Sequence, residues 1–456
     1  MLKHIKKIHM IGIGGSGMSG IAEVLLNLGY KVSGSDLIKS EVTERLKKLG
    51  AIIFYTHKPE NIRNVDLVVV SSAIKENNPE YVFAKQKNIP VILRAEMLAE
   101  LARIKHTITI AGTHGKTTVT AMVGLILQMA NYDPTVIIGG RLKNFGHSGA
   151  KLGKGEFLVA EADESDGSFL KLMPTIAIVT NIDDDHLDYY KNINNLKQAF
   201  IEHINKVPFY GYGILCKDDI ILSSLFKKIT RQYYTYGLNN NSDITARNIE
   251  FSGWNSKFDI IYKNRELGSI NLHVPGIHNV LNSLSAILVG LQLGVSFNKI
   301  KKGLENFTGV GRRLEIKFKK KGITCIDDYG HHPTEILNTL NTLRKIFPDK
   351  RLIVIFQPHR FTRTKIIYKK FGPVFKKSDI TMIAPIYPAG EKPIKGVSEF
   401  LIYNEVKKFN KNVELFLPDD EKNIKNLIKI LKPGDVVLTL GAGNIYKLSD
   451  NIQKLL

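Results

Sequence analysis

Apolar and polar positions fall into two alternating textures along the first hundred residues. Short strand-like apolar runs, IHMIGIGG, KVSGSD, AIIFY and DLVVVSSAI, are separated by stretches with apolar residues three and four apart, MSGIAEVLLNLG and TERLKKLG. That β-α-β-α-β order predicts a parallel sheet with right-handed crossovers. Residues 6–13 predict the first strand, running into a glycine turn, and LRAEMLAELARI closes the unit before residue 106. A second strand–loop–helix begins at HTITIAGTHGKTTVTAMVGLILQMA, with further strands at EFLVAEAD and PTIAIVTNID. Residues 208–275 read as a section richer in short strands, ahead of the helix HNVLNSLSAILVGLQLG. GITCIDDYG, RLIVIFQPH, DITMIAPI and DVVLTLGAG predict a third unit, with GVGRRLEIKF as the seam. The expected fold class is therefore α/β in three domains: Rossmann-like over 1–105, P-loop ATPase-like over 106–310, and Rossmann-like over 311–456.

Composition narrows the function classes. The 456 residues are 43% hydrophobic, and no apolar run approaches the roughly twenty residues that span a bilayer. The basic start MLKHIKKIHMIGIGG lacks the long apolar stretch and small-residue cleavage site of a signal peptide. Two distant cysteines, Cys216 and Cys325, fit a reducing cytoplasm and argue against a thiolate metal site. The net charge of +21 invites a nucleic-acid reading, but lysine is scattered among Ile and Asn and no recognition motif accompanies it. We expect neither a nucleic-acid nor a membrane partner; the positive field suits small polyanionic substrates. Oligomeric state is not legible.

Candidate chemistry sits at the strand ends. Gly12, Gly14 and Gly17 form G-x-G-x-x-G, with Gly15 inside it and Asp36 downstream, a fingerprint that on its own suggests a dinucleotide. AGTHGKTT, residues 111–118, follows the strand TITI and opens a helix. Backbone N–H groups of Gly112, Thr113, His114, Gly115 and the helix start, with Thr118, suit a nucleotide phosphate. Lys116 would reach the β- and γ-phosphates, and the Thr117 hydroxyl would sit on Mg²⁺. The spacing departs from the usual phosphate loop because residue 110 is Ile, not Gly. In EADESDGSFL, Glu161 is the first candidate Mg²⁺ ligand, with Asp163 and Glu164 as alternatives. In NIDDDHLDYY, His186 and its acidic neighbours would hold a second metal or orient phosphate; the competing reading of both clusters is helix capping. In FQPHRFTRT, Arg360 and Arg363 suit bidentate capture of a carboxylate, against the alternative of a solvated basic loop. The turn GAGNI, residues 441–445, receives no role.

GTHGKT, EADESD, N-x-x-x-D-H-L-D, G-x-H-N-x-x-N, RRLE and DDYGHHPTE occur in that order across the chain. The sequence resembles the Mur ligase family, the ATP-dependent amide-forming enzymes of peptidoglycan synthesis. GIGGSGMSG, GTHGKTT, DYGHHPTE and QPHRFTR are most similar to members that join L-alanine to UDP-N-acetylmuramate. The resemblance implies that Gly12, Gly14, Gly15 and Gly17 cradle the UDP diphosphate, with Asp36 at the uridine and Ser71 and Ser72 as further contacts. It implies that Asn279, with His278, meets adenine, that Arg313 lies by the ATP phosphates, and that Asp328 reaches the ribose. Asn282 and Arg312 are less determined. Tyr329 and His331 would face the reaction centre, His331 as a proton-handling residue, and His332 would be a turn residue before Pro333. His359, Arg360 and Arg363 would form the L-alanine pocket, and His186 would hold a second Mg²⁺. The implied cofactors are ATP and Mg²⁺, the implied chemistry an acyl phosphate attacked by an amine. Several relatives carry a carbamylated lysine after the D-H-x-D histidine; Lys197 and Glu202 lie nearest here, and neither is a clear equivalent. The rival readings are a recycling ligase that attaches a ready-made tripeptide, an NAD-dependent oxidoreductase, and a nucleic-acid-binding ATPase. Closure of the third unit over the second is expected.

Overall fold

The computed structural model describes residues 5–71, 73–103, 105–142, 148–239 and 241–456. The expected Ser72 contact lies outside the described residues. Three sheets follow one another along the chain. The first contains β1 (Lys7–Ile11), β2 (Lys31–Ser35), β3 (Ile52–Phe54), β4 (Leu67–Val70) and β5 (Val91–Leu93), in the order β3-β2-β1-β4-β5. All its pairings are parallel, as the β-α-β pattern required. β1 ends before residue 13 because Gly12 takes φ +79° and turns the chain out of the strand. The order reverses between β1 and β4, so their carboxyl ends open a crevice where ligands bind in open α/β sheets.

The central sheet comprises β6 (His106–Ala111), β7 (Thr135–Leu142), β8 (Ser148–Lys151), β9 (Phe157–Glu161), β10 (Ile176–Val179), β11 (Tyr212–Cys216), β12 (Tyr233–Tyr236), β13 (Ile244–Ser252), β14 (Asn255–Tyr262) and β15 (Arg265–Leu272). They run β15-β14-β13-β12-β11-β10-β6-β9-β7-β8. Of the short strands expected over 208–275, β11 and β12 are present with 5 and 4 residues; the rest is corrected, because β13, β14 and β15 have 9, 8 and 8 residues and form an antiparallel meander. Tight turns at Gly253 and at Lys263 and Asn264, all at positive φ, let the chain double back at full strand length. β10, β6 and β9 are parallel neighbours, which brings the carboxyl ends of three buried strands to one edge. On this sheet packs the apolar helix Lys116–Met129, with the helix Ile277–Gln292 against it.

The third sheet contains β16 (Glu315–Lys320), β17 (Ile323–Asp328), β18 (Leu352–Phe356), β19 (Ile380–Ile383), β20 (Val413–Leu415) and β21 (Val436–Leu440), in the order β16-β17-β21-β18-β19-β20. Only β16 runs antiparallel. Buried β18 and β21 are fully apolar apart from Thr439, which is how central parallel strands read. Among the described residues, no helix is long and apolar enough to cross a membrane. Cys216 and Cys325 are buried and unbridged.

Candidate active site

The site begins where β6 ends. Gly112 adopts φ +122°, and a Cβ there would lie 2.1 Å from Thr180 Oγ1, so only glycine permits this turn. Gly115, at φ +87°, then starts the helix Lys116–Met129. Asn181, beyond β10, clamps the loop from its neighbour strand: its Oδ1 accepts from His114 N at 2.8 Å and its Nδ2 donates to His114 O at 3.1 Å. The backbone amides at the helix start are thereby fixed as an anion cradle. Lys116 Nζ donates to Gly112 O at 2.6 Å and to both oxygens of Glu164 at 3.0 and 2.9 Å. Burial opposes the lysine's charge, but Glu164, Asp163 and Glu161 outweigh it and raise its pKa.

The carboxylates at and after the end of β9, Glu161, Asp163 and Glu164, surround this ammonium. Burial raises the Glu161 pKa against the Gly139 amide, the Lys116 charge and a hydrogen bond from Thr117. His186 sits at φ +57°, its Nε2 3.8 Å from Glu164 Oε1 and 3.6 Å from Asp185 Oδ2. Thr117, Glu161 and His186 offer hydroxyl, carboxylate and imidazole donors beside the phosphate loop. The buried Glu161 carboxylate, already bonded to Thr117, is the kind of oxygen donor pair that Mg²⁺ takes.

A cavity of about 700 Å³ runs from the loop into the seam between the second and third units. His114, Gly115 and Thr118 line its loop end, and Asn279, Asn282, Arg313 and Asp328 its far part. Asn279 donates one N–H to Pro275 O at 2.7 Å. A Cβ on Gly115 would meet Asn282 Oδ1 at 2.7 Å, so Asn282 packs directly on the phosphate loop. His278 is held neutral, its pKa lowered to about 4 by burial and by Arg313. Asp328 accepts from Leu314 N, Gly330 N and Thr339 Oγ1, at 2.8, 2.8 and 3.2 Å, and burial raises its pKa to about 6.

The third unit contributes a second pocket across the seam. Arg363 grips Asp185 with bonds of 2.9 and 3.0 Å, and its Nη1 meets His359 Nδ1 at 3.2 Å. His359 stacks on Tyr387 and lies 5.6 Å from the His331 ring. Arg360 is at φ +70°, and its buried Nε has no hydrogen-bond partner among the described residues. Burial and the nearby Arg363 hold His331 neutral, its pKa lowered to about 3. Its Nδ1 faces Tyr329 O at 3.2 Å, which requires the proton on Nδ1 and leaves Nε2 as an acceptor. In the first unit, Asp36 Oδ2 accepts from Gly14 N at 2.9 Å, and Ser71 lies against Gly12. A Cβ on Gly17 would stand 2.8 Å from Arg94 Nη1, and Arg94 Nη2 is 3.9 Å from Asp163, so one guanidinium links this turn to the metal-type carboxylates.

Three family descriptions match in succession: the Mur ligase family catalytic domain over residues 7–106, the Mur ligase middle domain over 110–290, and the Mur ligase glutamate ligase domain over 312–443. The chain belongs to the Mur ligase family. It is 50% identical over 452 residues to a UDP-N-acetylmuramate–L-alanine ligase of Geobacter sp. strain M21, covering 99% of this chain and 98% of that one. It is 51% identical over 451 residues to the enzyme of that name from Endomicrobium trichonymphae, covering 99% of both. Among solved structures it resembles the UDP-N-acetylmuramate–alanine ligase of Thermotoga maritima, with 31% identity, TM-score 0.83 and 98% of each chain covered. It also resembles a murein peptide ligase of Psychrobacter arcticus 273-4, with 25% identity, TM-score 0.75 and 98% coverage of each.

Within this Mur ligase, several expected roles need correction. His332 is more than a turn residue: it caps the helix Pro333–Ile346, is 1% exposed, and its ring centroid is 5.2 Å from that of His114. Arg312 is structural, bonding Asp327, Gly441 O and Gly443 O, and so it also fixes the GAGNI turn. The Tyr329 ring lies under both Arg312 and Arg313, at 4.9 and 5.2 Å, and meets the His331 ring edge-on at 5.7 Å. Glu202 is half exposed and pairs with Lys206 at 3.0 Å, away from the phosphate loop. The sequence reading gave no role to Asn181, Glu335, Tyr387 or Arg94. Glu335 stood within the quoted HHPTE run, whereas Tyr387 and Arg94 carried no local signal because their partners are remote in sequence.

Proposed function

We propose that this Mur ligase joins L-alanine to the lactyl carboxylate of UDP-N-acetylmuramate, with ATP cleaved to ADP and phosphate, as a cytoplasmic step of peptidoglycan synthesis. The observation that carries the reading is the juxtaposition across one seam of a lysine-bearing phosphate loop and a cluster of His331, His359, Arg360 and Arg363. The full-length similarity to ligases of that name supports it. The domain limits we propose are 1–105, 106–310 and 311–456.

In this reading the first unit holds the UDP diphosphate on the turn of Gly12, Gly14, Gly15 and Gly17, with Asp36 and Ser71 beside it. A pyrophosphate needs that backbone cradle whether it belongs to NAD or to UDP. ATP lies in the seam cavity, adenine toward Asn279 and His278, ribose toward Asp328, phosphates toward Arg313 and residues 112–118. A carboxylate oxygen of the sugar attacks the γ-phosphorus, ADP departs, and an acyl phosphate forms. The free amine of L-alanine then attacks the carbonyl carbon, phosphate leaves, and a proton is lost from nitrogen. Lys116 neutralises charge on the transferring phosphoryl group. Thr117, Glu161 and His186 would hold Mg²⁺, which supplies further charge neutralisation when bound. His331 Nε2, unprotonated, accepts a hydrogen bond from the incoming amine and orients it, and the proton leaves with the departing phosphate. Arg360 and Arg363 orient the amino acid through its carboxylate.

The similarity to a murein peptide ligase keeps one rival, attachment of a preformed tripeptide. ADP and phosphate release should be measured with ATP, Mg²⁺ and UDP-N-acetylmuramate, offering L-alanine and L-Ala-γ-D-Glu-diaminopimelate separately, with the product weighed by mass spectrometry. Turnover with L-alanine is the expected outcome. Preference for the tripeptide would replace the reading, and turnover with neither would end it.

A further inference from the structure

Beside the phosphate loop, outside the Thr117–Glu161–His186 set, two imidazoles from two elements converge on a carboxylate oxygen from a third. Asp183 Oδ2 lies 3.2 Å from His114 Nε2 and 3.4 Å from His332 Nδ1, and the three atoms lie within 4.8 Å of one another. Ligands about 2.0–2.1 Å from a tetrahedral ion are separated by about 3.3–3.4 Å, the spacing of both contacts. The outer shell has the same character. His114 Nδ1, the nitrogen turned away from Asp183, is 3.4 Å from Glu335 Oε1, and His332 Nε2 is 3.7 Å from Asp184 Oδ1. Each imidazole thus presents one nitrogen to the cluster centre and the other to a carboxylate, the arrangement that orients metal-bound histidines. His332 is 1% exposed, and its buried Nε2 has no hydrogen-bond partner. Asp183 Oδ1 accepts from Asp184 N at 2.9 Å, which fixes the carboxylate, and Thr334 Oγ1 donates to Oδ2 at 2.6 Å.

We propose that His114, Asp183 and His332 form a binding site for a borderline divalent transition ion of the Zn²⁺ class, separate from the Mg²⁺ positions. Two imidazoles and one carboxylate select such an ion over Mg²⁺, which prefers oxygen. Binding displaces the weak 3.4 Å bond from Thr334 N to His332 Nδ1. The ion fastens the phosphate loop, the end of β10 and the helix Pro333–Ile346 at the mouth of the nucleotide cavity, so it inhibits turnover. The site itself stands independently of the ligase reading; only the inhibition rests on it.

The test uses the full chain without nucleotide, in excess Mg²⁺, titrated with Co²⁺. The expected result is the intense visible ligand-field absorption of four-coordinate Co²⁺, bleached by added Zn²⁺. H332A and D183N, each checked for folding by circular dichroism, should lose that band, whereas E335Q should keep it with affinity weakened about 10–100-fold. A weak six-coordinate spectrum in the parent chain would mean an ordinary ion-paired cluster and overturn the site. Survival of the band in folded H332A and D183N would overturn it equally.

Discussion

Lys116 shows how one residue combines a chemical and a structural duty. Its ammonium stands at the phosphate loop, and it also neutralises Glu164, whose side chain is 1% exposed. Removing one partner of a buried pair leaves the other charge unpaired, at a cost of about 3–5 kcal/mol. K116M should therefore lower both the melting temperature and, by about 10²–10³-fold, the rate of phosphate release. The double variant K116M/E164Q should regain the melting temperature and not the rate. Scanning fluorimetry with a phosphate assay separates the two, and recovery of the rate would assign Lys116 a purely structural part. Lys116, Thr117 and Glu161 were legible in the sequence because strand-end position and local spacing fix their neighbours. His332 was not, because its partners His114 and Asp183 lie in another unit, and nothing in HHPTE signals that encounter.

At the scale of elements, the first sheet is stitched by a buried carboxylate. Glu80, in the helix Pro79–Gln86, is fully buried and accepts from Ser35 Oγ at 2.5 Å and Asn61 Nδ2 at 2.6 Å. It also meets His57 Nδ1 at 3.1 Å and lies 3.6 Å from His9 Nε2. Burial disfavours its charge, but the contacts from His9, Ser35 and Asn61 prevail and lower its pKa from 4.5 to about 2. A depressed carboxylate stabilises the fold fully above its unfolded value and loses that contribution as pH falls through the folded one. Melting temperature should thus fall on acidification from pH 4.5 toward pH 2 more steeply in the parent chain than in E80Q. Parallel curves would show that Glu80 does not set the acid response. Most central strands were legible from apolar runs, even three-residue β3 within AIIFY, whereas β5 and β20, equally short, offered no period to register. The meander of β13 to β15 was less legible because only one of its two turns, at Gly253, carries a glycine; the other is made by Lys263 and Asn264 at positive φ.

For the whole molecule, the turn after β10 makes three successive polar contacts from the second unit to the third. Asp183 accepts from Thr334 Oγ1, Asp184 pairs with Lys370, and Asp185 holds Arg363 bidentately, with both of those side chains 9% exposed. D185A should leave Arg363 uncompensated and loosen the third unit. Small-angle scattering without ligand should then give a larger radius of gyration than the parent chain. An identical radius would place the cohesion elsewhere, along the remainder of the seam. Three-unit architecture was readable from composition and order, but this clasp was not. DDD reads as a metal or capping cluster until the strand order places it opposite a basic helix.

That turn has a mechanical consequence. Asn181, which clamps the phosphate loop, and Asp185, which holds Arg363, are separated by three residues of the turn that follows β10. A displacement of the loop when phosphate enters or departs is delivered along that short lever to the arginine on the far side. The phosphate loop and Arg363 are thus both anchored to one short piece of backbone, so a shift of either anchor is felt first by the other.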